Sequence, residues 1–234
     1  MKAIAALLLM GKLGPLLTTG GTMVISVFAY ALVYGWSYAA GFVALIFVHE
    51  LGHFIAARSR NLKVGAPTFI PFVGAWIELK EQPLDAETEA FVGIAGPMLG
   101  SAGAFACYLI AVASGSQVLL ALAYAGFMIN LFNLIPLSPL DGGRIVSVIS
   151  PRIWLLGVPI LVALFLWKPN PLLIFIAVLA LPQVWRALKD RGMSAEAYYR
   201  ASVGVRLKYA AQYLILAAAL AMMAFELQER LGGR

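Results

Sequence analysis

Residues 47–58 read FVHELGHFIAAR, a hydrophobic run that is interrupted by two histidines and a glutamate. His49 and His53 are the only histidines of the chain, and Glu50 directly follows the first of them. On a helix, side chains four residues apart lie on one face, one turn above the other. Two imidazoles in this arrangement can bind one zinc ion, and the glutamate between them can act on a metal-bound water. The stretch therefore predicts a helix that carries a metal site.

The composition of the whole chain is that of a membrane protein. Of its 234 residues, 62% are hydrophobic and 12% are charged, whereas about 25% of the residues of an average globular protein are charged. Several apolar runs reach the ~20 residues with which a helix crosses a bilayer. We therefore predict an all-α polytopic membrane protein that lies in the lipid bilayer. The net charge of +6 is attributed to basic residues in cytoplasmic loops, and no nucleic acid partner is expected.

The apolar runs predict about six to seven transmembrane helices. In chain order they cover residues 16–34, 38–57, 90–113, 118–134, 154–167, 171–185 and 209–225. The last run can also form an interfacial helix. Residues 1–15 contain Gly14 and Pro15 within an apolar stretch, and they are predicted to form an interfacial segment. Residues 81–89 are predicted to be a short acidic connection before the third run.

Basic residues set the predicted orientation. Arg58, Arg60 and Lys63 directly follow the second run, which places its end on the cytoplasmic side by the positive-inside rule. With seven spans, only three of the 17 Lys and Arg residues fall on the opposite side: Lys168, Arg230 and Arg234. We expect a multi-pass protein of a bacterial or organellar inner-type membrane, with the histidines towards the cytoplasmic side.

Residues 63–80 differ from the runs on either side because prolines and glycines break them. Pro67, Pro71 and Gly74 argue against a helix and favour short strands or a re-entrant loop. Such backbone lies at membrane depth only where protein or a wet cavity satisfies its polar groups. A strand edge beside a buried site can also pair with an extended peptide. A plain interfacial loop is the alternative interpretation.

A catalytic zinc site usually has three protein ligands, so the two histidines need a partner. Asp141 lies in the bend NLIPLSPLDGGR, residues 133–144, on the same predicted side of the membrane. An ionisable residue at membrane depth is costly and therefore indicates a function. The alternative is an ordinary N-cap before a helix at residues 142–150. The many small residues of the third run predict that it packs closely against the second.

Two motifs together resemble those of the site-2 protease family of intramembrane zinc metalloproteases: HELGH at residues 49–53 and NLIPLSPLDGG at residues 133–143. The resemblance implies that His49, His53 and Asp141 bind one zinc ion per chain. It also implies that Glu50 is the general base, and that Asn133 helps to bind the substrate or to stabilise the oxyanion.

The resemblance covers a three-span core, about residues 38–145, and sets the predicted domain organisation. We expect one membrane domain, residues 1–234, in which a C-terminal helical hairpin and tail, about 151–234, follow the core. This is a minimal form without appended soluble domains. Family members often carry an asparagine a few residues after the Gly-Pro of the third span. Here Gly96 and Pro97 lead to Gly100 instead, so that polar contact is either absent or supplied by another element.

The predicted function is that of an intramembrane zinc endopeptidase, which hydrolyses peptide bonds within or near transmembrane segments. Its expected substrates are single-span or membrane-anchored proteins. One alternative is a metal-binding membrane protein without proteolysis, such as a transporter, but the spans offer almost no further buried acidic or histidine residues for a transport path. The other alternative is a catalytically silent homologue that holds transmembrane helices. The presence of Glu50 argues against it, because such a protein has no evident need of a base.

Overall fold

The computed structural model describes residues 2–76, 83–189 and 197–232, and their side chains apart from those of residues 2–16 and Trp76. Within these ranges the chain forms eight α-helices and one short β-hairpin. The helices are α1 (Lys2–Tyr34), α2 (Trp36–Ser59), α3 (Ala86–Ser114), α4 (Gln117–Asn133), α5 (Asp141–Ile149), α6 (Trp154–Trp167), α7 (Pro171–Lys189) and α8 (Val203–Gly232). The strands are β1 (Thr68–Ile70) and β2 (Gly74–Trp76), and 3₁₀ turns cover Pro151–Ile153 and Ala197–Tyr199.

Five helices are long and apolar enough to cross a membrane: α1 from Leu17 onward, α2, α3, α7 and α8. Two further apolar helices are shorter, α4 and the segment Pro151–Trp167 that contains α6. A helix of 17 residues such as α4 is about 25 Å long, slightly less than the hydrocarbon core of a bilayer. The prediction of an all-α polytopic protein is confirmed, and the chain is an integral membrane protein. The predicted number of about six to seven spans is reached only when the two shorter apolar helices are counted with the five long ones.

The helix boundaries differ from the predicted spans mainly at their starts. The stretch 81–89, predicted as an acidic connection, is partly the first turn of α3. The Asp85 side chain caps this helix by accepting a hydrogen bond from the Thr88 N–H at 2.7 Å, and acidic residues are favourable at a helix N-terminus. Residues 2–15 continue α1 without a break. Gly14 and Pro15 therefore do not separate an independent segment from the first span.

The β-hairpin confirms the predicted non-helical segment between the second and third spans. Its strands are antiparallel, with Thr68 opposite Trp76 and Ile70 opposite Gly74. The loop between the strands is held by α1, because the Phe72 N–H donates to the Tyr30 hydroxyl at 3.0 Å. Residues 77–80, the end of the predicted segment, lie outside the described residues.

Helix α1 also binds the first strand of the hairpin. The Thr19 hydroxyl donates to the Pro67 carbonyl at 2.7 Å, and the Phe69 N–H donates to the Thr22 hydroxyl at 3.1 Å. These contacts explain the threonines in the otherwise apolar first span, since at membrane depth they supply the partners that a broken backbone needs. The hairpin is therefore attached to α1 on one side.

Helices α2, α3 and α4 form the centre of the molecule, and α8 packs against α4 and α5. The Tyr213 hydroxyl of α8 donates to the Leu134 carbonyl at 2.6 Å, and the Arg206 guanidinium donates to the Ile149 carbonyl at 3.0 Å. Leu134 and Ile149 bracket the bend and helix α5. The C-terminal helix therefore fixes both ends of the segment that carries Asp141.

The 3₁₀ turn before α8 adds a contact to α3. The Tyr198 hydroxyl donates to the Glu89 carboxylate at 2.7 Å. Burial raises the pKa of Tyr198, and the neighbouring negative charge of Glu89 raises it further. The phenol therefore stays protonated and remains a hydrogen-bond donor over the whole physiological range of pH.

Helices α6 and α7 also contact the bend and the start of α5. The Gln183 side chain of α7 accepts a hydrogen bond from the Ser138 N–H at 2.8 Å. The Trp154 indole N–H, at the start of α6, donates to the Gly143 carbonyl at 2.8 Å. Both bonds satisfy backbone groups that the irregular bend and the start of α5 would otherwise leave buried without partners.

Candidate metal centre

His49 and His53 lie on the buried face of α2, as their spacing predicts. Their exposed fractions are 4% and 7%, and their Nε2 atoms are 3.1 Å apart. The two rings meet edge to face with centroids 4.8 Å apart. Both Nε2 atoms therefore point to one location in the interior of the molecule.

Glycines on α2 and α3 make room for this arrangement. A Cβ atom on Gly52 would lie 2.3 Å from the Ala95 carbonyl oxygen, and one on Gly96 would lie 2.2 Å from His53 Nε2. Real Cβ atoms do not approach other atoms so closely. The predicted close packing of the third span against the second is confirmed, and it brings the backbone of α3 directly beside a histidine.

Asp141 completes the cluster from α5. Its Oδ2 atom lies 3.1 Å from His49 Nε2 and 3.2 Å from His53 Nε2. The alternative interpretation of Asp141 as an ordinary N-cap is wrong, since the N-cap of α5 is Leu140 and no side chain caps this helix. Asp141 is the first residue inside the helix, where its carboxylate is free to face α2.

The two glycines after Asp141 explain how the bend folds back so tightly. A Cβ atom on Gly142 would lie 2.2 Å from the Leu134 carbonyl oxygen, and one on Gly143 would lie 2.5 Å from the Ser138 nitrogen. Helix α5 can therefore begin directly against the bend that precedes it. Because of this close approach, Asp141 lies beside the histidines of α2 although it follows α4 by only a short bend.

The outer nitrogens of both imidazoles have fixed partners. His53 Nδ1 lies 2.8 Å from the Val92 carbonyl oxygen, and His49 Nδ1 lies 2.8 Å from Asn130 Oδ1. A carbonyl oxygen can only accept, so Nδ1 of each ring is the donor and carries the proton. Each neutral ring then has its lone pair on Nε2, the atom that faces Asp141 Oδ2.

Three acceptor atoms thus converge on one buried point. The two Nε2 atoms and Asp141 Oδ2 are separated by 3.1, 3.1 and 3.2 Å. Ligands of a tetrahedral zinc ion, bound at about 2.0–2.1 Å, are about 3.3 Å apart. Lone pairs facing each other at this distance repel one another unless a metal ion or a proton lies between them. The donor set therefore fits a metal ion, and these are the three residues that can hold one.

Glu50 lies next to the three potential ligands. It is buried, with 8% of its surface exposed, and among the described residues no hydrogen bond occupies its carboxylate. Arg144 is a further charged neighbour, since its Nη1 atom lies 3.8 Å from Asp141 Oδ1. This is the carboxylate oxygen that does not face the histidines. Glu50 is therefore the carboxylate at the centre that is neither a potential ligand nor paired.

Asn133, the predicted substrate or oxyanion residue, is the last residue of α4 and is half-buried. No hydrogen bond joins its side chain to the part of the chain that the structure describes, so its predicted role stays a prediction. The asparagine that contacts the cluster is Asn130, three residues earlier, which is 2% exposed. Sequence reasoning missed it, although an amide inside the apolar run 118–132 was a signal, because such groups need partners in a membrane.

These features define a class: an integral membrane protein with a His-His-Asp group that can hold a metal ion, buried among its helices, and a buried glutamate beside it. The model of Peptidase family M50 matches residues 37–125. This range contains both histidines, Glu50 and the small-residue helix α3. The match covers part of the chain and agrees with the resemblance to the site-2 proteases.

Relatives with known names match parts of the chain. A zinc metalloprotease of Methanocaldococcus jannaschii is 30% identical over 116 residues, which cover 47% of this chain and 33% of that protein. A putative zinc metalloprotease of Mycobacterium tuberculosis is 36% identical over 129 residues, 50% of this chain and 33% of that protein. The chain thus spans about a third of the length of these curated relatives. The solved structure of the site-2 protease from Methanocaldococcus jannaschii aligns with a TM-score of 0.44 at 23% identity, over 77% of this chain and 87% of that one.

Proposed function

We propose that this protein is an intramembrane zinc endopeptidase, which hydrolyses peptide bonds within or near the transmembrane segments of single-span or membrane-anchored proteins. One observation carries the proposal: two imidazole nitrogens and a carboxylate oxygen converge within 3.2 Å beside the buried carboxylate of Glu50, inside a bundle of membrane-spanning helices. The match of residues 37–125 to the model of Peptidase family M50 and the names of the relatives, which are zinc metalloproteases, support it.

Zinc is the metal that this donor set favours. Imidazole nitrogen and carboxylate oxygen are common zinc ligands, and three protein ligands leave a fourth position open, as in catalytic sites. A structural zinc site would be closed by a fourth side chain, and the described residues offer none. When bound, the ion polarises the scissile carbonyl and makes water nucleophilic near neutral pH. His49, His53 and Asp141 are the residues that would hold it.

Glu50 is the general base of the proposed reaction. It takes a proton from the attacking water and delivers it to the amine nitrogen that leaves when the peptide bond breaks. Its position directly after His49, its burial and the absence of a hydrogen-bond partner within the described part of the chain suit this role. The Asp141 carboxylate faces the two Nε2 atoms as a potential metal ligand and has no comparable freedom.

The substrate must be unwound locally before it is cleaved, because the peptide bonds of a transmembrane helix are hydrogen-bonded within the helix. We propose that the hairpin binds the unwound strand at the outer edge of β2. Phe69 faces Ala75 across the hairpin, and the Phe69 N–H points away from β2 to Thr22 of α1. Opposite residues of an antiparallel pair share one bonding type. The backbone N–H and C=O of Ala75 therefore point away from β1.

The two edges of the hairpin consequently differ. Helix α1 covers the edge of β1, whereas within the described residues no hydrogen bond reaches the outer edge of β2 at Ala75. The hairpin also packs against the helix that carries the histidines, since the Phe69 ring lies beside the Phe47 ring of α2 with centroids 6.4 Å apart. A strand edge without a partner among the described residues is where an extended peptide can add as a further strand.

The orientation of the site is proposed to be cytoplasmic. Helix α2 ends at Ser59, and the basic residues Arg58 and Arg60 lie at that end. The five residues from His53 to Arg58 correspond to about 8 Å of helix. Basic residues favour the cytoplasmic side, so water would reach the site from there.

The proposed reaction is tested by mapping the cut. Purified protein is reconstituted in liposomes with a panel of single-span substrates, and the new termini are identified by mass spectrometry. We expect cuts within the hydrophobic segment, loss of cleavage after zinc is removed with a chelator, and recovery when zinc is returned.

The matched control is Asp141→Ala, which lacks a ligand and should neither retain zinc nor cleave. Cuts confined to soluble loops, or cleavage that survives chelation, would contradict the proposal. Stable zinc binding without cleavage of any substrate in the panel would favour a metal-binding membrane protein instead.

The strand-addition model predicts a selective effect of Ala75→Pro. Proline removes the N–H that points outward but no bond within the hairpin, and an edge position tolerates it. Because one substrate hydrogen bond is lost, we expect kcat/KM to fall about 3- to 10-fold, with zinc content unchanged. The control is Ala75→Ser, which changes the same side chain but keeps the N–H. Equal activity of the two variants would show that the substrate does not pair with β2.

A further inference from the structure

We infer that Asn130 of α4 is the positioning residue of His49, and that Gly100 of α3 provides the recess in which its amide lies. The inference rests on the proposed metal site, because it concerns how one ligand of that site is oriented. Neither residue belongs to the two motifs at 49–53 and 133–143.

The orientation of the Asn130 amide follows from its two partners. Its Nδ2 atom lies 2.7 Å from the Gly126 carbonyl oxygen, and its Oδ1 atom lies 2.8 Å from His49 Nδ1. The Gly126 carbonyl can only accept, so the NH₂ group must face it. The amide oxygen therefore faces His49 and accepts from Nδ1–H. In this way the backbone of α4 determines which nitrogen of His49 carries the proton.

The two histidines differ in how they are held. His53 Nδ1 donates to the backbone carbonyl of Val92, a partner that no side-chain substitution removes. The orientation of the His49 ring depends on one side chain, that of Asn130. Partners of this kind fix the tautomer and ring orientation of a metal-binding histidine, and their loss typically weakens metal binding 10- to 100-fold.

Gly100 makes this contact possible. A Cβ atom at this position would lie 2.4 Å from Asn130 Oδ1 and 2.9 Å from Asn130 Nδ2. Any side chain on residue 100 would therefore displace the amide from His49. After Gly96 and Pro97 the sequence of α3 has no asparagine, and the polar contact is thus supplied from α4. The glycine at position 100 leaves the space that the asparagine at position 130 fills.

The test measures zinc affinity by competition with a chelator in detergent-solubilised full-length protein. For Asn130→Ala we expect an affinity about 10- to 100-fold below that of the wild type. Gly100→Ala should show a loss of the same order although it alters neither Asn130 nor a ligand. The matched control is Gly103→Ala on the same helix, whose Cβ atom would have only apolar side-chain carbons as its nearest neighbours, the first being Val48 Cγ1 at 3.2 Å.

Asn130→Asp separates positioning from packing. A carboxylate still accepts from His49 Nδ1–H but no longer donates to the Gly126 carbonyl. If Asn130 positions His49, this variant retains zinc affinity within a few-fold of the wild type, whereas a residue that only packs α4 would leave it as weak as Asn130→Ala. The absorption spectrum of the cobalt-substituted protein reports the ligand geometry independently of activity.

Two results would overturn the inference: an affinity of Asn130→Ala less than 10-fold below the wild type, or equal losses in the alanine and aspartate variants. These results are distinct from a failure of the proposed function. If the wild-type protein binds no zinc, or binds it equally after His49→Ala, the metal site itself is wrong.

Discussion

Replacement of Glu50 by glutamine is expected to reduce cleavage by about 10²- to 10⁴-fold, the usual contribution of a general acid–base residue. The zinc content should stay at one ion per chain, because Glu50 is not among the three residues that converge on the metal position. Glutamine has nearly the same size as glutamate and keeps a polar group in the same buried place, but it cannot accept the proton of the attacking water.

The measurement combines the initial rate of cleavage of a single-span substrate with the metal content of the same preparation. A suitable control is Glu226→Gln, the same substitution on α8 in an exposed pair with Arg230, where the contribution to stability is small. Undiminished cleavage by Glu50→Gln would contradict the role of Glu50 as general base. Loss of zinc together with activity would indicate that Glu50 is a metal ligand rather than a base.

The parts of the site that sequence alone predicts are those that local geometry determines. The four-residue spacing of His49 and His53 fixes a common helix face whatever surrounds it. Asp141 is predictable as a ligand because an acidic residue in a Pro/Gly-rich bend, on the predicted side of the membrane, is costly without a partner. The non-helical segment followed in the same way from its prolines and glycines.

The parts that sequence does not predict depend on which helices meet. Asn130 lies 81 residues from His49 in the chain, and nothing in its neighbourhood indicates which histidine, if either, it contacts. The motif predicts a role for Asn133, but among the described residues it is Asn130 that contacts His49. Likewise, the hydrophobic runs indicate that α8 exists, but not that Tyr213 and Arg206 hold the two ends of the segment with Asp141.

Glycines are visible in the sequence, and in the structure they mark where two helices meet. At six described glycines a Cβ atom would lie within 2.5 Å of another element or of the bend, and four of these contacts involve the metal centre or the residues that hold it: those of Gly52, Gly96, Gly100 and Gly142. In lipid, small residues let helices approach because packing and polar contacts, rather than the hydrophobic effect, hold them together. A glycine-rich span beside a histidine motif therefore indicates close packing, although only the structure shows which glycine meets which ligand.

Gly96→Ala is expected to reduce zinc affinity by more than about 100-fold, the upper end of the range for residues that merely support a ligand. The added Cβ atom would lie 2.2 Å from His53 Nε2, the atom that would bind the metal. The ring cannot easily retreat, because its Nδ1 is bonded to the Val92 carbonyl and the backbones of α2 and α3 are in contact.

A general loss of helix stability would not explain this result, since alanine is a better helix former than glycine by roughly 1 kcal/mol. Zinc affinity is measured by chelator competition, with Gly103→Ala of the same helix as the control, and thermal unfolding of the metal-free proteins shows that both variants are folded. Zinc binding by Gly96→Ala within threefold of the wild type would mean that His53 Nε2 does not face the metal. The close approach of α3 to α2 would then be a matter of packing only, and the site would need a different ligand in place of His53.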